Sequence, residues 1–403
     1  MSTAQHDVII VGGGLVGASL AIALDRIGVD VGLVEATPVG ALPAVFDERN
    51  LSFADATVNA LTALGVMQKL QVAGAQIRRI HVSRTGDFGR VQLDASDYGR
   101  EAFGQVVVAR DFGHALEARL AGLTRLTRYR PARFVGVQDD AKHGCAIRVI
   151  GDSGEYLLST RLLVAADGTH SGVRDALEIS THSHDYSQTL FVARVRSERA
   201  PDGTAYERFG DDGPTAMLPR SDRHFGAVHG VTNADAGKVA KLDDAEYLAR
   251  LQRAFGWRVG RLLSVGARSR YPALCVRAER LIASHAVLVG NAAQTLHPIG
   301  AQGFNLGLRD ALTLAELIED AKESMGSDAM LAAYSARRTE DRERTLAFSD
   351  ALARLTANPS PLLRPLRTLG LLALDRLPSV QSALVGGAMG YRGEVPLLCR
   401  APS

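Results

Sequence analysis

A glycine-rich turn between two short apolar runs constrains the fold of this chain more than any other feature. Residues 7–11 are typical of a buried strand, residues 12–17 are GGGLVG, and residues 15–27 have the apolar spacing of a helix. A second apolar run at 29–34 ends at Glu35. Strand, glycine turn, helix and strand within about 30 residues form one βαβ unit. The sequence therefore predicts a parallel sheet that starts near the beginning of the chain.

The spacing of the glycines gives each of them a different task. Gly12 permits the tight turn, Gly14 lets the backbone approach a pyrophosphate, and Gly17 lets helix and strand pack closely. The pyrophosphate would lie at the helix N-terminus, where free N–H groups favour negative charge. Glu35 would accept hydrogen bonds from the adenosine ribose and repel a 2′-phosphate. We predict a dinucleotide site, and this motif alone leaves FAD and NAD both open.

A second glycine-rich segment follows an apolar strand predicted at 286–289. It begins with Gly290-Asn291 and continues through His297-Pro298 to a further loop at 302–307, where a helix is expected from about 306 to 323. The N-terminus of that helix would stabilise negative charge on a reduced isoalloxazine ring. By spacing alone, the segment would equally fit an ordinary loop before a helix.

Composition excludes several classes of protein. A chain of 403 residues is expected to form two or three domains. The net charge is only +2 with acidic and basic residues interspersed, so nucleic acid is not the expected partner. The three cysteines show no CxxC pairing, and no zinc or other metal site is predicted. No apolar run reaches the roughly 20 residues of a spanning helix, so a cytoplasmic protein is expected.

The remaining pattern divides the chain into distinct regions. Residues 46–75 are expected to be mainly helix and loop, and residues 131–164 a β-meander. Residues 185–275 favour a separate, largely antiparallel domain with one helix at 243–255. A long helix is predicted at 328–356, and its mixed-charge run at 337–344 is expected to be a solvated face.

Several motifs in a fixed order carry a resemblance to a known family. The matching segments are 12–17 with Glu35, 46–49 (FDER), 104–107 (GQVV), 167–174 (DGTHSGVR) and 290–307. With these, the chain resembles the para-hydroxybenzoate-hydroxylase class of flavoprotein monooxygenases and, within it, the ubiquinone-biosynthesis hydroxylases. Segments 255–258 (FGWR) and 292–298 (AAQTLHP) point to the 2-polyprenyl-6-methoxyphenol hydroxylase branch.

The resemblance implies a cofactor, co-substrates and a set of binding residues. It implies FAD as the cofactor, NAD(P)H as a transient reductant, and O₂ and a prenylated phenol as substrates. Arg49 and Gln105 would contact the FAD ribose and pyrophosphate region, and the motif of Asp167 would also take part in nicotinamide use. Pro298 and the start of the following helix would lie beside the isoalloxazine ring. The residues implied to bind FAD are Gly12, Gly14, Gly17, Glu35, Arg49, Gln105, Asp167, Gly168, Gly290, Asn291, Gly303 and Asn305.

Two departures from the family pattern and one histidine affect the expected site. Asn291 stands where the family has aspartate, and an amide can still hydrogen-bond the ribityl chain. Ala301 stands where the family usually has glycine, and a positive φ there would cost alanine about 1 kcal/mol. His297, together with Pro298, is the candidate catalytic position beside the flavin. Two interpretations of His297 stay open: it orients the phenol or relays its proton, or it fixes the loop through a backbone hydrogen bond.

These inferences combine into one expected architecture. The fold class is α/β, with a doubly wound, Rossmann-like FAD-binding domain, an antiparallel β-sheet substrate domain and C-terminal helices. The FAD-binding domain is expected at 1–75, 104–182 and 276–345, the substrate domain at 76–103 and 183–275, and the C-terminal helical region at 346–403. The substrate pocket would lie between the sheet domain and the FAD domain.

The expected activity is hydroxylation of a 2-polyprenyl-6-methoxyphenol to the 1,4-benzoquinol in ubiquinone synthesis. A sibling hydroxylase acting at another ring position and a non-catalytic flavoprotein subunit of the quinone-synthesis assembly are the alternatives. The tail carries Leu362, Leu366 and Leu369 at helical spacing, with arginines nearby. It would either lie on the inner face of the membrane, contact that assembly or line a path for a prenyl chain, or pack as ordinary core.

Overall fold

The computed structural model describes residues 4–87, 89–140 and 144–357, together with shorter stretches of the C-terminal segment. Those stretches are 369–370, 373, 375–376, 381–382, 385–387 and 389–400. The tail residues Leu362 and Leu366 lie outside the described residues. Within the described part, no helix combines the length and apolarity that a membrane crossing requires.

Strands and helices alternate in the first third of the chain, and strands dominate the middle. The strands are β1 (Ala4–Val11), β2 (Val31–Val34), β3 (Asn50–Ala54), β4 (Ala75–Gln76), β5 (Arg79–Arg84), β6 (Arg90–Asp94), β7 (Gly104–Val108), β8 (Leu126–Tyr129), β9 (Ala132–Asp140), β10 (Gly144–Gly151), β11 (Gly154–Ala165), β12 (Thr181–Ser197), β13 (Thr204–Phe209), β14 (Pro214–Pro219), β15 (Phe225–Thr232), β16 (Leu262–Val265), β17 (Ser269–Ala278), β18 (Ile282–Ala283), β19 (Ala286–Leu288) and β20 (Gln294–Thr295). The helices are α1 (Leu15–Arg26), α2 (Asp55–Ala63), α3 (Ala109–Leu120), α4 (Gly172–Ala176), α5 (Asn233–Ala240), α6 (Asp244–Phe255), α7 (Gln302–Ala321) and α8 (Asp328–Ala357).

Sheet 1 carries the predicted βαβ unit at its centre. Its strands run in the order β18-β19-β11-β1-β2-β8, with β10 and β9 continuing from β11. Strands β19, β11, β1, β2 and β8 are parallel, and the β9–β10–β11 meander is antiparallel. Buried apolar side chains fill both faces, as expected of a parallel sheet covered on each side. Because β1 and β11 are neighbours, the turn after β1 meets the segment after β11.

Sheet 2 is the sheet predicted from residues 185–275. Its strands run in the order β20-β17-β12-β15-β14-β13-β5-β6, and β16 pairs with β12. All pairs are antiparallel except β13 with β5, which run parallel. Its outer face packs on α6 through residues such as Phe225, Tyr247 and Phe255. Strand β20 belongs to the second glycine-rich segment, so sheet 2 is hydrogen-bonded directly to the predicted flavin site.

Two local expectations differ from the structure. Residues 46–75 contain a strand, β3, which pairs with β7 in the three-stranded sheet 3, besides the expected helix and loop. A second helix, α5, precedes α6 in the sheet 2 region. The domain boundaries stay a prediction, and the one between residues 345 and 346 falls inside the continuous helix α8.

Candidate active site

The first glycine turn is held by close backbone contacts at two of its three glycines. Gly12 has φ +104°, and a Cβ there would lie 2.5 Å from the carbonyl oxygen of Ala166. A Cβ on Gly17 would overlap the carbonyl oxygen of Gly12. At Gly14, by contrast, the nearest heavy atom to an added Cβ is 3.7 Å away, on Val45. Gly12 and Gly17 therefore serve packing, whereas Gly14 leaves room for a ligand.

The start of α1 and the carboxylate of Glu35 face this turn. The first intrahelical bond joins Ala18 N to Gly14 O at 3.0 Å, so the N–H groups of the preceding first-turn residues have no partner within the helix. The first turn of α1 carries no acidic side chain. Glu35 accepts hydrogen bonds from Gly13 N at 2.8 Å and Thr37 N at 2.7 Å. This combination favours an anion at the helix N-terminus and a fixed carboxylate for hydroxyl groups beside it.

The Asp167-Gly168 segment follows β11 and lies next to the first glycine turn. Asp167 accepts hydrogen bonds from Ser171 Oγ at 2.5 Å and Val173 N at 3.1 Å, at the start of the short helix α4. Burial raises the pKa of Asp167 above its ordinary value, although these hydrogen bonds oppose the shift. Gly168 has φ +89°, and an added Cβ would meet no heavy atom within 4 Å. This glycine too borders open space.

The second glycine turn contacts the first, although 278 residues separate Gly12 from Gly290. Gly290 has φ +58°, and a Cβ there would lie 2.9 Å from Cγ2 of Val16 in α1. A Cβ on Gly307 would lie 2.8 Å from the same Val16 methyl group. Helices α1 and α7 can pack this closely only because both positions lack a side chain. Asn291 is exposed in the turn that follows Gly290.

The proline loop, residues 297–301, leads into α7. Gly300 has φ +73° and Ala301 has φ +50° and ψ +37°, so Ala301 takes the left-handed conformation that favours glycine. Helix α7 begins at Gln302 with no capping side chain and no acidic residue in its first turn. An added Cβ on Gly303 would meet no heavy atom within 4 Å. The start of α7 is therefore a second open helix N-terminus.

The side chain of Asn305 is used within the protein. Its Oδ1 accepts from Ala54 N at 2.9 Å and Thr57 Oγ1 at 2.7 Å. Its Nδ2 donates to Ser52 O at 3.0 Å and Ala301 O at 2.9 Å. All four hydrogen-bonding positions of the amide are thereby filled. Asn305 joins α7 to β3, and any contact that it makes with a flavin must come from its backbone.

Two polar groups of His297, its ring Nδ1 and its carbonyl oxygen, form hydrogen bonds within the protein. His297 is 1% exposed, its Nδ1 accepts from Ile299 N at 3.2 Å, and its carbonyl accepts from Ser349 Oγ at 3.1 Å. The ring packs edge-on against Tyr186 with 4.7 Å between centroids. Burial lowers the pKa of His297 to about 4, so the ring is neutral near pH 7. These contacts favour the loop-fixing interpretation, while a role in orienting the phenol stays a hypothesis.

Arg49 lies in the loop that precedes β3 of sheet 3, and Gln105 lies on β7 of the same sheet. Arg49 forms an ion pair with Asp47 at 2.8 Å, and its guanidinium stacks 4.2 Å above the ring of Tyr271. Gln105 is half-buried in β7, opposite Phe53 of β3. Burial alone would raise the pKa of Asp47, but hydrogen bonds from Arg49 and Tyr271 hold it below its ordinary value. A phosphate would have to compete with Asp47 for Arg49.

A buried charge network behind the second glycine turn was not predicted from the sequence. Asp310 accepts from Gly290 N at 3.2 Å and from Gln294 Nε2 at 2.6 Å, and its other oxygen pairs with Arg338 at 2.7 Å. Arg338 is 1% exposed and also pairs with Asp341 at 2.8 Å. The expectation that residues 337–344 form a solvated face is therefore wrong for Arg338 and for Arg342, which are both buried. The i,i+4 pair of Arg344 with Glu340, at the outer side of α8, does follow the expectation.

A family model described as an FAD binding domain matches residues 5–349 of the chain. The chain belongs to the FAD binding domain family.

The similarity to known proteins extends over nearly the whole chain. Ubiquinone hydroxylase UbiL of Rhodospirillum rubrum is 33% identical over 95% of this chain and 89% of its own length. The 3-demethoxyubiquinol 3-hydroxylase of Escherichia coli is 27% identical over 97% of this chain and 100% of its own length. The crystal structure of p-nitrophenol 4-monooxygenase PnpA from Pseudomonas putida DLL-E4 has a TM-score of 0.80 at 18% identity, over 98% of this chain and 100% of that one. The last similarity shows the fold.

The residues around the two glycine turns fit FAD. Gly14, Gly168 and Gly303 border open space, helices α1 and α7 both begin without acidic side chains, and the carboxylate of Glu35 lies beside the start of α1. The resemblance to the flavin hydroxylases, the fold class and the FAD cofactor are confirmed. The chain is an FAD-dependent aromatic hydroxylase that uses NAD(P)H as reductant. When bound, FAD carries electrons from the nicotinamide and activates O₂.

Proposed function

We propose that the chain hydroxylates a 2-polyprenyl-6-methoxyphenol to the corresponding 1,4-benzoquinol, with NAD(P)H and O₂, in ubiquinone synthesis. The observation that carries the proposal is the end-to-end similarity to proteins named ubiquinone hydroxylases, the R. rubrum relative at 33% identity among them. The reaction inserts one oxygen atom of O₂ into the ring and releases the other as water. Two of the four electrons come from NAD(P)H and two from the phenol.

In this proposal the chain binds, orients and secludes the reactants. Backbone N–H groups at the start of α1 bind the FAD pyrophosphate, and Glu35 accepts the ribose hydroxyls. The start of α7, at Gly303, lies against the isoalloxazine ring with Pro298 beside it. The contacts of Arg49, Gln105, Asp167, Gly168, Gly290 and Asn291 with FAD are part of the same proposal. Sheet 2 covers this region and keeps water from the reacting atoms.

A sibling reaction at another ring position is the second candidate. The E. coli relative is named a 3-demethoxyubiquinol 3-hydroxylase, which supports such an activity. The two reactions give quinol products that differ in the position of the new hydroxyl group.

Attachment to a membrane or to a quinone-synthesis assembly belongs to the proposal as well. Its supporting observation is Leu369, which is 63% exposed in the C-terminal segment.

The test is product formation by the purified holoenzyme. The protein is incubated with FAD, NADH or NADPH, ¹⁸O₂ and each candidate polyprenyl phenol, and the labelled position is located by mass spectrometry. One ¹⁸O atom para to the original hydroxyl of the methoxyphenol supports the first candidate. Label at another ring position of a ubiquinone intermediate supports the sibling reaction. Nicotinamide oxidation without a labelled quinol from any of these phenols contradicts both candidates.

A further inference from the structure

Strand β13 of sheet 2 carries a carboxylate where its pattern calls for an apolar residue. Side chains of a strand alternate between faces, so Ala205, Glu207 and Phe209 share one face, and Tyr206 and Arg208 share the other. Glu207 is paired with Ala216 of β14 and Val82 of β5. The same row continues with Val228 on β15 and Val91 on β6. Glu207 is therefore the one acidic side chain in this apolar row.

The face that carries Glu207 is the face of sheet 2 directed at the FAD site. Gly226 lies on it, and a Cβ there would overlap the side chain of Asn50 in β3. Phe209, two residues along the strand from Glu207, packs in one cluster with Ile299 of the proline loop and Ala353 of α8. The opposite face, with Tyr206 and Phe225, packs on α6. Glu207 thus lies on the face of sheet 2 that packs towards the proline loop, and the substrate recess of the proposal below is placed between that face and the loop.

Within the described residues, no hydrogen bond or ion pair is formed by the carboxylate of Glu207. The charged or titratable groups around it are engaged elsewhere. Arg84, on the same face, pairs with Asp211, and Tyr186 donates to Asp350 of α8 at 2.8 Å. Burial is the cause that raises the pKa of Glu207 from its ordinary 4.5 to about 7. By surface area the side chain is only half-buried. Both observations hold for a side chain that lines a recess, enclosed by protein yet still accessible.

We propose that Glu207 binds the phenolic hydroxyl of the substrate and takes up its proton during hydroxylation. A molecule that is apolar except for one hydroxyl group fits a row of valine and alanine side chains with a single carboxylate. The ring carbon para to the hydroxyl uses a ring electron pair to bond one atom of an O₂ molecule that NAD(P)H has reduced by two electrons; the O–O bond breaks, and its electron pair leaves with the second oxygen atom, which becomes water. The phenolic O–H bond breaks at the same time, and its electron pair forms the C=O bond of a dienone. The proton goes to Glu207. It returns to that oxygen when the ring carbon loses its own proton and the quinol forms.

This assignment rests on the proposed function, and its test compares two glutamate variants of the holoenzyme. Glu207→Gln keeps the shape of the side chain and removes the base, while Glu340→Gln removes an exposed carboxylate on α8 far from the recess. The probe is a 2-methoxyphenol with a short prenyl chain at position 6. Wild type and Glu340→Gln should show product formation that rises with pH through about 7. Glu207→Gln should lose that rise and form product on the order of 100-fold more slowly, with unchanged FAD content.

Two results would overturn the assignment. The first is a Glu207→Gln enzyme that forms product at the wild-type rate with the wild-type pH profile. The second is a Glu207→Asp enzyme no faster than Glu207→Gln, because a shorter base should restore part of the rate.

A binding measurement separates failure of this assignment from failure of the proposed function. If wild type hydroxylates no prenylated phenol, the proposed function fails, and 4-nitrophenol then serves as a coloured phenol whose ionisation is titrated on the protein. An ionised Glu207 should raise the pKa of bound 4-nitrophenol in wild type and in Glu340→Gln, and Glu207→Gln should lower that pKa towards its value in buffer. Equal titrations in wild type and Glu207→Gln would show that Glu207 does not meet the phenol oxygen.

Discussion

Alanine at Gly303 should separate protein stability from FAD affinity. An added Cβ at this position meets no heavy atom within 4 Å, and the same holds for Gly237 in α5. Both glycines are helical, and alanine in a helix interior is favoured over glycine by up to about 1 kcal/mol. For a chain of 403 residues this corresponds to a rise of about 1 °C in the melting temperature of the FAD-free protein. Neither substitution should destabilise that form.

The two variants should differ in how they bind FAD. The open space at Gly303 is where we expect the isoalloxazine ring, so the new methyl group would overlap the cofactor. Overpacking by one methyl group costs about 1–3 kcal/mol, which weakens binding by roughly 5- to 150-fold. Titration of the FAD-free protein, followed by flavin fluorescence, measures this, and Gly237→Ala should match wild type. Wild-type affinity in Gly303→Ala would show that the start of α7 does not approach the flavin.

Four further predictions concern stability, each measured by chemical denaturation. Ala301→Gly should stabilise the protein by about 0.5–1 kcal/mol, because relief of the backbone strain of a left-handed alanine exceeds the entropy cost of glycine. A loss of stability would show that Ala301 is not strained. Arg338→Met should cost about 3–5 kcal/mol, because Asp310 is left buried without its cation, and a cost below 1 kcal/mol would contradict this. Burial lowers the pKa of His229 from 6.5 to about 4. As pH falls, the imidazole therefore takes up a proton in the unfolded chain before it does so in the folded chain. Stability should drop by up to about 3 kcal/mol between pH 6.5 and 4, and His229→Gln should flatten that slope. The raised pKa of Glu207 has the opposite effect: the free energy of unfolding should fall as pH rises from 4.5 to 7. Glu207→Gln should therefore be up to about 3 kcal/mol more stable than wild type at pH 8 and equal to it at pH 4.

The parts of the fold that the sequence predicts are those with local causes. The βαβ unit depends on apolar runs and glycines within about 30 residues, and helices α1, α6, α7 and α8 lie close to the ranges predicted for them. Strand β3 was missed because its pairing with β7 joins residues more than 50 positions apart. Such a pairing appears only once the chain is folded. Helix α5 was missed although its cap is local: the Thr232 side chain accepts from Asp235 N, but the helix is short and buries only Val239.

The same distinction applies to the candidate site. Gly12, Gly17 and Gly290 could be singled out because glycine is the only residue that tolerates their contacts. Arg338 could not, since its run of alternating charges also fits an exposed helix, and only the position of Asp310 makes it buried. Glu207 left a weaker signal. Once residues 204–209 are assigned to a strand, a carboxylate between Ala205 and Phe209 is an exception to the apolar alternation, and such exceptions are expected at functional sites.

The left-handed alanine in the proline loop shows how the fold positions the flavin site. A strained residue persists only where its surroundings determine its conformation. Asn305 holds the carbonyl of Ala301 at 2.9 Å, and His297 holds the N–H of Ile299 at 3.2 Å. Ser349 of α8 in turn fixes the carbonyl of His297. Helices α7 and α8 therefore hold the loop from outside and His297 holds it from within, so these contacts determine the conformation of Ala301.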